Sequence, residues 1–251
     1  MAVDRASDIK PELAGRFSTT WDEMDWAYGK KGQWGAPHAR ISLWSGEHGV
    51  GKTRLLTDWM KRLNKQGMTS MISQGEVSRG QFIGEKLGAG KYDNIWVSDD
   101  MAIDDLISAI QKVSPVVCIT DSVQQIEEYQ GGRGAKKIVR KLRDVLEGTG
   151  THVVFISQLT ADGKSKGGTE LPHEVDVEVR LSLFAPTFAP SMFAMVFGKN
   201  RYGIRGKSVV CCHKDWGVDV QSQHRLSDPD WVRERGGVVV PVARKKILGI
   251  F

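Results

Sequence analysis

The residues with the clearest chemical use are Gly46-Glu47-His48-Gly49-Val50-Gly51-Lys52-Thr53, which fit the phosphate-loop pattern G-x-x-x-x-G-K-[ST]. Gly46, Gly49 and Gly51 let the backbone turn its N–H groups inward, and a helix starting at the loop's end adds partial positive charge. Lys52 is placed to reach the β- and γ-phosphates of a nucleotide, and the Thr53 hydroxyl to ligate Mg²⁺. Arg54 completes the expected nucleotide contacts. The flanks agree with this reading. Residues 39–45 read as a buried strand leading in, and the spacing of Leu55, Leu56, Trp59, Met60 and Leu63 predicts a helix over 53–66 with one buried face.

Four further groups could complete a nucleotide site. The run Val116-Val117-Cys118-Ile119-Thr120-Asp121 is an apolar strand closing in an acid, whose carboxylate would hold Mg²⁺ directly or through water. Many buried strands end in Asp; the phosphate loop upstream is what makes this one specific. Glu76 is the candidate for orienting an attacking water. It follows a strand expected to lie beside the phosphate-loop strand, which would bring its carboxylate to the nucleotide's edge of the sheet. A helix-start Glu held by the dipole is the plainer reading. Gln158 ends a strand expected beside that of Asp121, where it could sense the γ-phosphate. Lys199 and Arg201 stand two apart on an extended segment and so share a side. Such a pair could reach a γ-phosphate held by a neighbouring subunit; an ordinary basic hairpin is the alternative.

Two stretches, 124–137 and 160–172, are expected to leave the same sheet edge as basic loops. Arg133, Lys136, Lys137, Lys164 and Lys166 are the candidate DNA contacts there, with Tyr129 available to stack on a base. On composition alone they would equally be two solvated loops.

The elements that must position these groups follow from periodicity. Thr20 and Glu23 have capping-box spacing, predicting a short lead-in helix. Residues 68–73 read as a strand ending in Gln74-Gly75-Glu76, and 79–87 as a helix with Phe82, Ile83 and Leu87 inward. Residues 95–98 read as a strand, followed by a helix capped by Asp99 or Asp100. Residues 136–147 form an amphipathic helix on Ile138, Leu142, Val145 and Leu146, with Arg140, Lys141 and Arg143 opposite; 151–157 is a buried strand. From Val175 the period becomes two, with Val175, Val177, Val179, Leu181 and Leu183 on one face and Asp176, Glu178, Arg180 and Ser182 on a wet one. Strand–helix alternation to about 158, then β-rich sequence, predicts an α/β fold: a mostly parallel central sheet flanked by helices, with a C-terminal antiparallel extension. The expected division is an arm and lead-in helix over 1–38, a core over 39–225 and a tail over 226–251.

Composition narrows the function class. The net charge is +5, which permits a polyanionic partner. There is no apolar run of membrane-span length and no signal core, so a cytoplasmic protein without membrane contact is expected. The three cysteines, Cys118, Cys211 and Cys212, include no C-x-x-C pair and predict neither a zinc site nor a disulfide framework.

Taken in order, five segments resemble the RecA-type ATPases, and within them the bacterial RadA (Sms) proteins. They are Thr19-Thr20-Trp21-Asp22-Glu23-Met24-Asp25, the phosphate loop, Ser73-Gln74-Gly75-Glu76, Asp121-Ser122-Val123-Gln124, and Lys199-Asn200-Arg201-Tyr202-Gly203, which looks like the family's K-N-R-F-G signature. Leu171-Pro172-His173-Glu174-Val175-Asp176 is similar to its L-E-H-x-V-D segment. The resemblance spans roughly Phe17 to Val220. It implies ATP- and Mg²⁺-dependent work on single-stranded DNA by a homo-oligomer, a hexameric ring or a filament, with ATP sites between subunits. Glu76 would activate water, and Lys199 and Arg201 would act in trans. The family's four-Cys zinc module and Lon-protease-like domain have no counterpart in this sequence, so a core without zinc is expected. Phage-encoded RecA-like proteins of similar minimal form act as recombination mediators or annealing factors, and a phage source fits. DnaB-type replicative helicases share the fold and remain the other motor reading. An annealing module with slow turnover is the non-motor one.

Overall fold

A computed structural model of the chain describes residues 15–129, 134–159, 171–183, 191–214, 217–221, 225 and 227–235. Strands β1 (Arg16–Phe17) and β2 (Ala36–Pro37) pair around helix α1 (Asp22–Tyr28). The main sheet is built from β3 (Ile41–Gly46), β4 (Ser70–Gln74), β5 (Ile95–Ser98), β6 (Val117–Asp121), β7 (His152–Gln158), β8 (Val177–Leu183), β9 (Met192–Asn200), β10 (Ser208–Lys214) and β11 (Gly217–Gln221). Its order is β11-β10-β9-β8-β3-β7-β6-β4-β5. From β8 to β5 all neighbours are parallel; β9, β10 and β11 add antiparallel strands. The mostly parallel sheet with an antiparallel extension is the one the alternation predicts.

Two apolar layers cover the sheet. Helix α2 (Lys52–Lys65) packs on one face, and Leu55, Leu56, Trp59, Met60 and Leu63 are all buried there, as their spacing predicts. Trp59 stacks between Trp44 of β3 and Phe17, at centroid distances of 5.8 and 6.2 Å. Helices α4 (Ile103–Val113) and α6 (Ala135–Thr149) cover the other face through Ile103, Leu106 and Ile110, and through Ile138, Leu142 and Leu146. The single turn α7 (Leu171–Glu174) lies against α6 and buries Leu171 in the same layer. Covering both faces is what buries β3 and β6 along their whole length and β7 up to Gln158. Cys118 sits in this core, where burial pushes its thiol up to about 12.

The flanking segments join the same body. Lys207 is buried and donates to the carbonyls of Trp26 and Gly29 (2.6 and 3.0 Å), with the Trp26 and Trp34 rings 4.5 and 4.9 Å away. Burial brings its ammonium down to about 8. Helix α8 (Pro229–Glu234), capped by Asp228, closes over the lead-in. Trp231 packs edge-on against Trp34, and Asp228 accepts from Trp26 Nε1 at 2.8 Å. The end of the tail and residues 1–14 lie outside the described residues.

Several local expectations are corrected. Thr20 does not cap α1: its φ is +71°, the N-cap is Trp21, and the buried Asp25 carboxylate instead accepts from the backbone and hydroxyl of Thr19 and from Ser18 Oγ. Neither Asp99 nor Asp100 caps α4, whose N-cap is Ala102. Ile83 points outward at 44% exposure. Helix α3 (Arg79–Phe82) runs into a π-helical turn, Ile83–Leu87, closed by Gly88 N donating to the Ile83 carbonyl five residues back. The wider turn keeps Phe82 and Leu87 inward and rotates Ile83 out. Residues 124–129, expected in a loop, belong to helix α5 (Val123–Tyr129).

Candidate nucleotide-binding site

The carboxyl ends of the parallel strands converge at one edge of the sheet. β3 ends in Gly46 and passes into the phosphate loop, and α2 leaves from Lys52. Gly49 and Gly51 both hold positive φ, +77° and +94°, which an L side chain adopts only under strain. Gly46 has no room for a side chain, since a Cβ there would lie 2.7 Å from the Leu181 carbonyl oxygen. Lys52 Nζ turns back into the loop and donates to the carbonyls of Gly46 and Glu47 at 2.7 and 2.8 Å. Burial lowers its pKa, opposed by the nearby charges of Asp121, Glu47 and Glu76.

Asp121 ends β6 and is buried. Thr53 Oγ1 donates to its Oδ2 at 2.8 Å, so the two oxygens expected to hold a metal already share one hydrogen bond. Both are hard oxygen donors, which fits Mg²⁺. The Asp121 carboxyl is raised above the usual range, first by burial and further by the charge of Glu76, with the Thr53 bond and Lys52 acting the other way. Glu76 is exposed, two residues beyond the end of β4, and its charge reaches both Lys52 and Asp121. Its strand is not beside the phosphate-loop strand, however. β7 and β6 stand between β3 and β4, and Gln74 pairs with Asp121. Glu76 reaches the edge because every strand from β8 to β5 points the same way, not because β3 and β4 touch. Gln158 ends β7 as expected. It lies beside Gly46 in register, and β7 pairs with the Asp121 strand.

The remaining loop residues divide. Glu47, His48 and Gly49 stand exposed at the tip, Val50 is buried, and Arg54 turns to the β10–β11 hairpin, donating to the Lys214 carbonyl. One residue that spacing could not find is His213 on β10. Its ring lies against Gly51, where a Cβ would come within 2.0 Å of Nε2, and packs at a tilt against Phe193, centroids 4.9 Å apart. A cavity of about 450 Å³ opens beside the loop, bordered by Thr53, Arg54, Asp58, Glu85, Lys86 and Gly217.

No family model matches the chain. DNA repair protein RadA of Mycobacterium tuberculosis is 27% identical over 208 residues, covering 79% of this chain and 42% of that protein. RadA of Campylobacter jejuni is 26% identical over 207 residues, covering 78% and 44%. Among solved structures, an ATPase domain superposes with a TM-score of 0.58 at 14% identity, covering 70% of this chain and 82% of that one. The chain has a RecA-type ATPase fold and is similar in sequence to RadA. It spans less than half the length of these RadA relatives.

The residues of the RadA-like signature lie far from the phosphate loop of their own chain. Asn200 pairs with Val177, and Val177 with Ser42, four residues back along β3 from Gly46. At a strand's rise this is roughly 13 Å, at the amino ends of the parallel strands. Lys199 Nζ donates to the carbonyls of Pro172 and His173 at 2.9 and 2.8 Å, and Arg201 bonds the same His173 carbonyl at 3.5 Å. The two therefore share a side, as their spacing requires. Arg201 also faces the Asp176 carboxylate at 3.4 Å, and Arg143 faces it at 3.5 Å. Asp176 is only 4% exposed, which corrects its expected place on the wet face. It precedes β8 and knits it to β3, accepting from Ile41 N at 3.1 Å and donating its own N–H to the Ile41 carbonyl at 2.9 Å.

Of the candidate DNA contacts, Lys136 and Lys137 lie in the first turn of α6, not in a loop. Lys136 pairs with Glu174 at 3.6 Å, and Lys137 is exposed. Arg133, Lys164 and Lys166 lie outside the described residues. Tyr129, at the end of α5, is 71% exposed. No described helix is long and apolar enough to cross a membrane.

Proposed function

We propose that this chain is the core of an ATP-dependent motor of RecA/RadA type that acts on single-stranded DNA in recombination, repair or replication. The observation that carries the reading is the meeting of Lys52, Thr53, Asp121 and Glu76 at one sheet edge, in a chain similar over most of its length to proteins named for DNA repair. The phosphates would lie on the N–H groups of the loop, with Lys52 exchanging its two carbonyl partners for β- and γ-phosphate oxygens. Thr53 and Asp121 would hold Mg²⁺, which neutralises charge developing on the transferred phosphate. Glu76 would orient the attacking water, and Gln158 would carry the state of the γ-phosphate towards the chain beyond β7. The nucleoside would extend into the cavity beside Arg54. Arg201, with Lys199, would complete the site of a neighbouring copy in a ring or filament, since both lie at the wrong edge to serve their own. Lys136, Lys137, Arg133, Lys164 and Lys166 are the proposed contacts to DNA phosphates.

The test is ATP hydrolysis with and without single-stranded DNA for the wild type, Lys52→Ala and Glu76→Gln. DNA stimulation of the wild type is expected, with Lys52→Ala down by at least ~10²-fold in turnover, the usual scale for losing one stabilising group. Glu76→Gln should bind nucleotide normally and turn over as poorly. A DNA-independent rate would remove the motor reading and leave a nucleotide switch.

A further inference from the structure

The turn that carries Glu76 is held by two glutamines whose bonds go to main chain, not to ligand. Gln74, the last residue of β4, is 3% exposed. Its Oε1 accepts from Glu76 N at 3.2 Å and Val77 N at 3.1 Å, while its Nε2 donates to the Val77 carbonyl at 2.7 Å. One side-chain amide thus serves three polar groups of the turn. The fourth, Gly75 N, donates to Oε1 of Gln125 on α5 at 3.2 Å. The approach is close: a Cβ on Gly75 would lie 2.9 Å from that oxygen. The neighbouring Gln124 reaches the other way, its Nε2 donating to Ser157 Oγ at 2.8 Å, one residue before Gln158. The chain then leaves through Ser78, which caps α3 by accepting from Gln81 N at 3.3 Å.

Resting on the role given above to Glu76, we propose that Gln74 and Gln125 are positioning residues for its carboxylate, and that Gln125 makes this position depend on helix α5. The reason is geometric. Glu76 is exposed, so its side chain is aimed by its backbone more than by packing, and a base or water-orienting group must be held within a fraction of an ångström. Gln74 fixes the backbone at and after Glu76 from within its own strand. Gln125 fixes it before Glu76 from α5, which follows the Asp121 strand and ends in the exposed Tyr129. A shift of α5 would therefore move Glu76 relative to Lys52 and Asp121. It would leave the phosphate loop, which Lys52 closes through the Gly46 and Glu47 carbonyls, in place.

The experiment compares Gln125→Met, which keeps length and loses the acceptor, with Gln125→Glu, which keeps an acceptor oxygen. Gln74→Met and Glu76→Gln are measured beside them. The readouts are kcat, KM for ATP, affinity for a fluorescent ATP analogue, and the melting temperature. Gln125→Met is expected to lower kcat by ~10–10²-fold, the scale of a small misplacement. KM and analogue affinity should stay within about twofold, with Gln125→Glu recovering most of the loss. In a Glu76→Gln background Gln125→Met should have no further effect, since both act on one group. If Glu76→Gln is inactive while Gln125→Met turns over like wild type, or if kcat and analogue affinity fall together, the positioning role is overturned and the role of Glu76 stands. If Glu76→Gln itself turns over normally, the role of Glu76 falls and this inference with it.

Discussion

The two edges of the central sheet hold similar residues in opposite ways. At the carboxyl edge, Lys52, Thr53, Asp121 and Glu76 are gathered by loops and strand ends, and their partners are those a ligand would replace: two loop carbonyls for Lys52, one hydroxyl for Asp121. At the amino edge, Asp176 is buried and its partners belong to the fold. It ties β8 to β3 and takes Arg143 and Arg201 together, while Lys199 is bound to two carbonyls. His152 stands at that same edge, fully buried, with Nε2 2.8 Å from Ser42 Oγ and Nδ1 2.7 Å from the Pro37 carbonyl. Parallel strands place backbone N–H groups and helix starts at their carboxyl ends, where anions bind. The amino ends are free to be cross-linked, and cations anchored there face outward from a rigid base.

The largest test of this contrast separates the two edges by mixing. Lys52→Ala should lose nucleotide binding and turnover together. Arg201→Ala should bind nucleotide normally as a single chain and yet lose turnover, by up to ~10³-fold or more if it supplies charge to a neighbour's transition state. Mixing the two inactive variants then restores part of the rate, because some interfaces join an intact loop to an intact arginine. Arg201→Ala turning over like wild type would mean that both edges serve folding and only one serves chemistry.

A smaller effect is expected from Asp176→Ala. It removes the acceptor for Ile41 N and the carboxylate facing two guanidinium groups. The arginines are each roughly half exposed, at 43% and 47%, so water takes over much of their charge. The cost should be about 2–3 kcal/mol by urea unfolding, the scale of losing hydrogen bonds to a charged group. Affinity for an ATP analogue should be unchanged; a parallel loss of affinity would show that the edges are not independent.

The carboxyl edge is far more legible in the sequence than the amino edge, for physical reasons. A phosphate loop is local: its glycines, lysine and threonine act within eight residues of one another. The Asp121 strand and the apolar face of α2 are also local patterns. Asp176 escapes the pattern because alternation assumes that the strand's rule extends one residue before it, where the chain is already turning under β3. The place of β4 escapes it because sheet order is set by crossovers, which periodicity does not record. His213 carries no signal at all; it meets Gly51 only because β9 and β10 fold back and return the chain to the loop. Gln125 is hidden for the same reason, its partner Gly75 being fifty residues away in sequence.

The finest test uses pH, because the two edges titrate with opposite signs. Burial pushes the His152 imidazole down to about 4 from its usual 6.5. Its folded pKa lies below its unfolded one, so between 6.5 and about 4 the unfolded chain takes up a proton that the folded chain refuses. Stability at the amino edge is full above that window and is lost as pH falls through it. Asp121 is shifted upward, first by burial, so in acid above its unfolded value the folded state takes the proton first, and the carboxyl edge gains stability there. Between pH 7 and 5 the His152 contribution alone should fall by about 2 kcal/mol. Urea unfolding at those two pH values should therefore show wild type losing about that much more than His152→Gln, which cannot titrate. Asp121→Asn should lose more than wild type as pH falls towards the usual carboxylate range, because the relief that acid gives a crowded carboxylate is gone. A His152 ring found protonated by NMR at pH 5 would contradict the first half, and an Asp121→Asn slope equal to wild type the second.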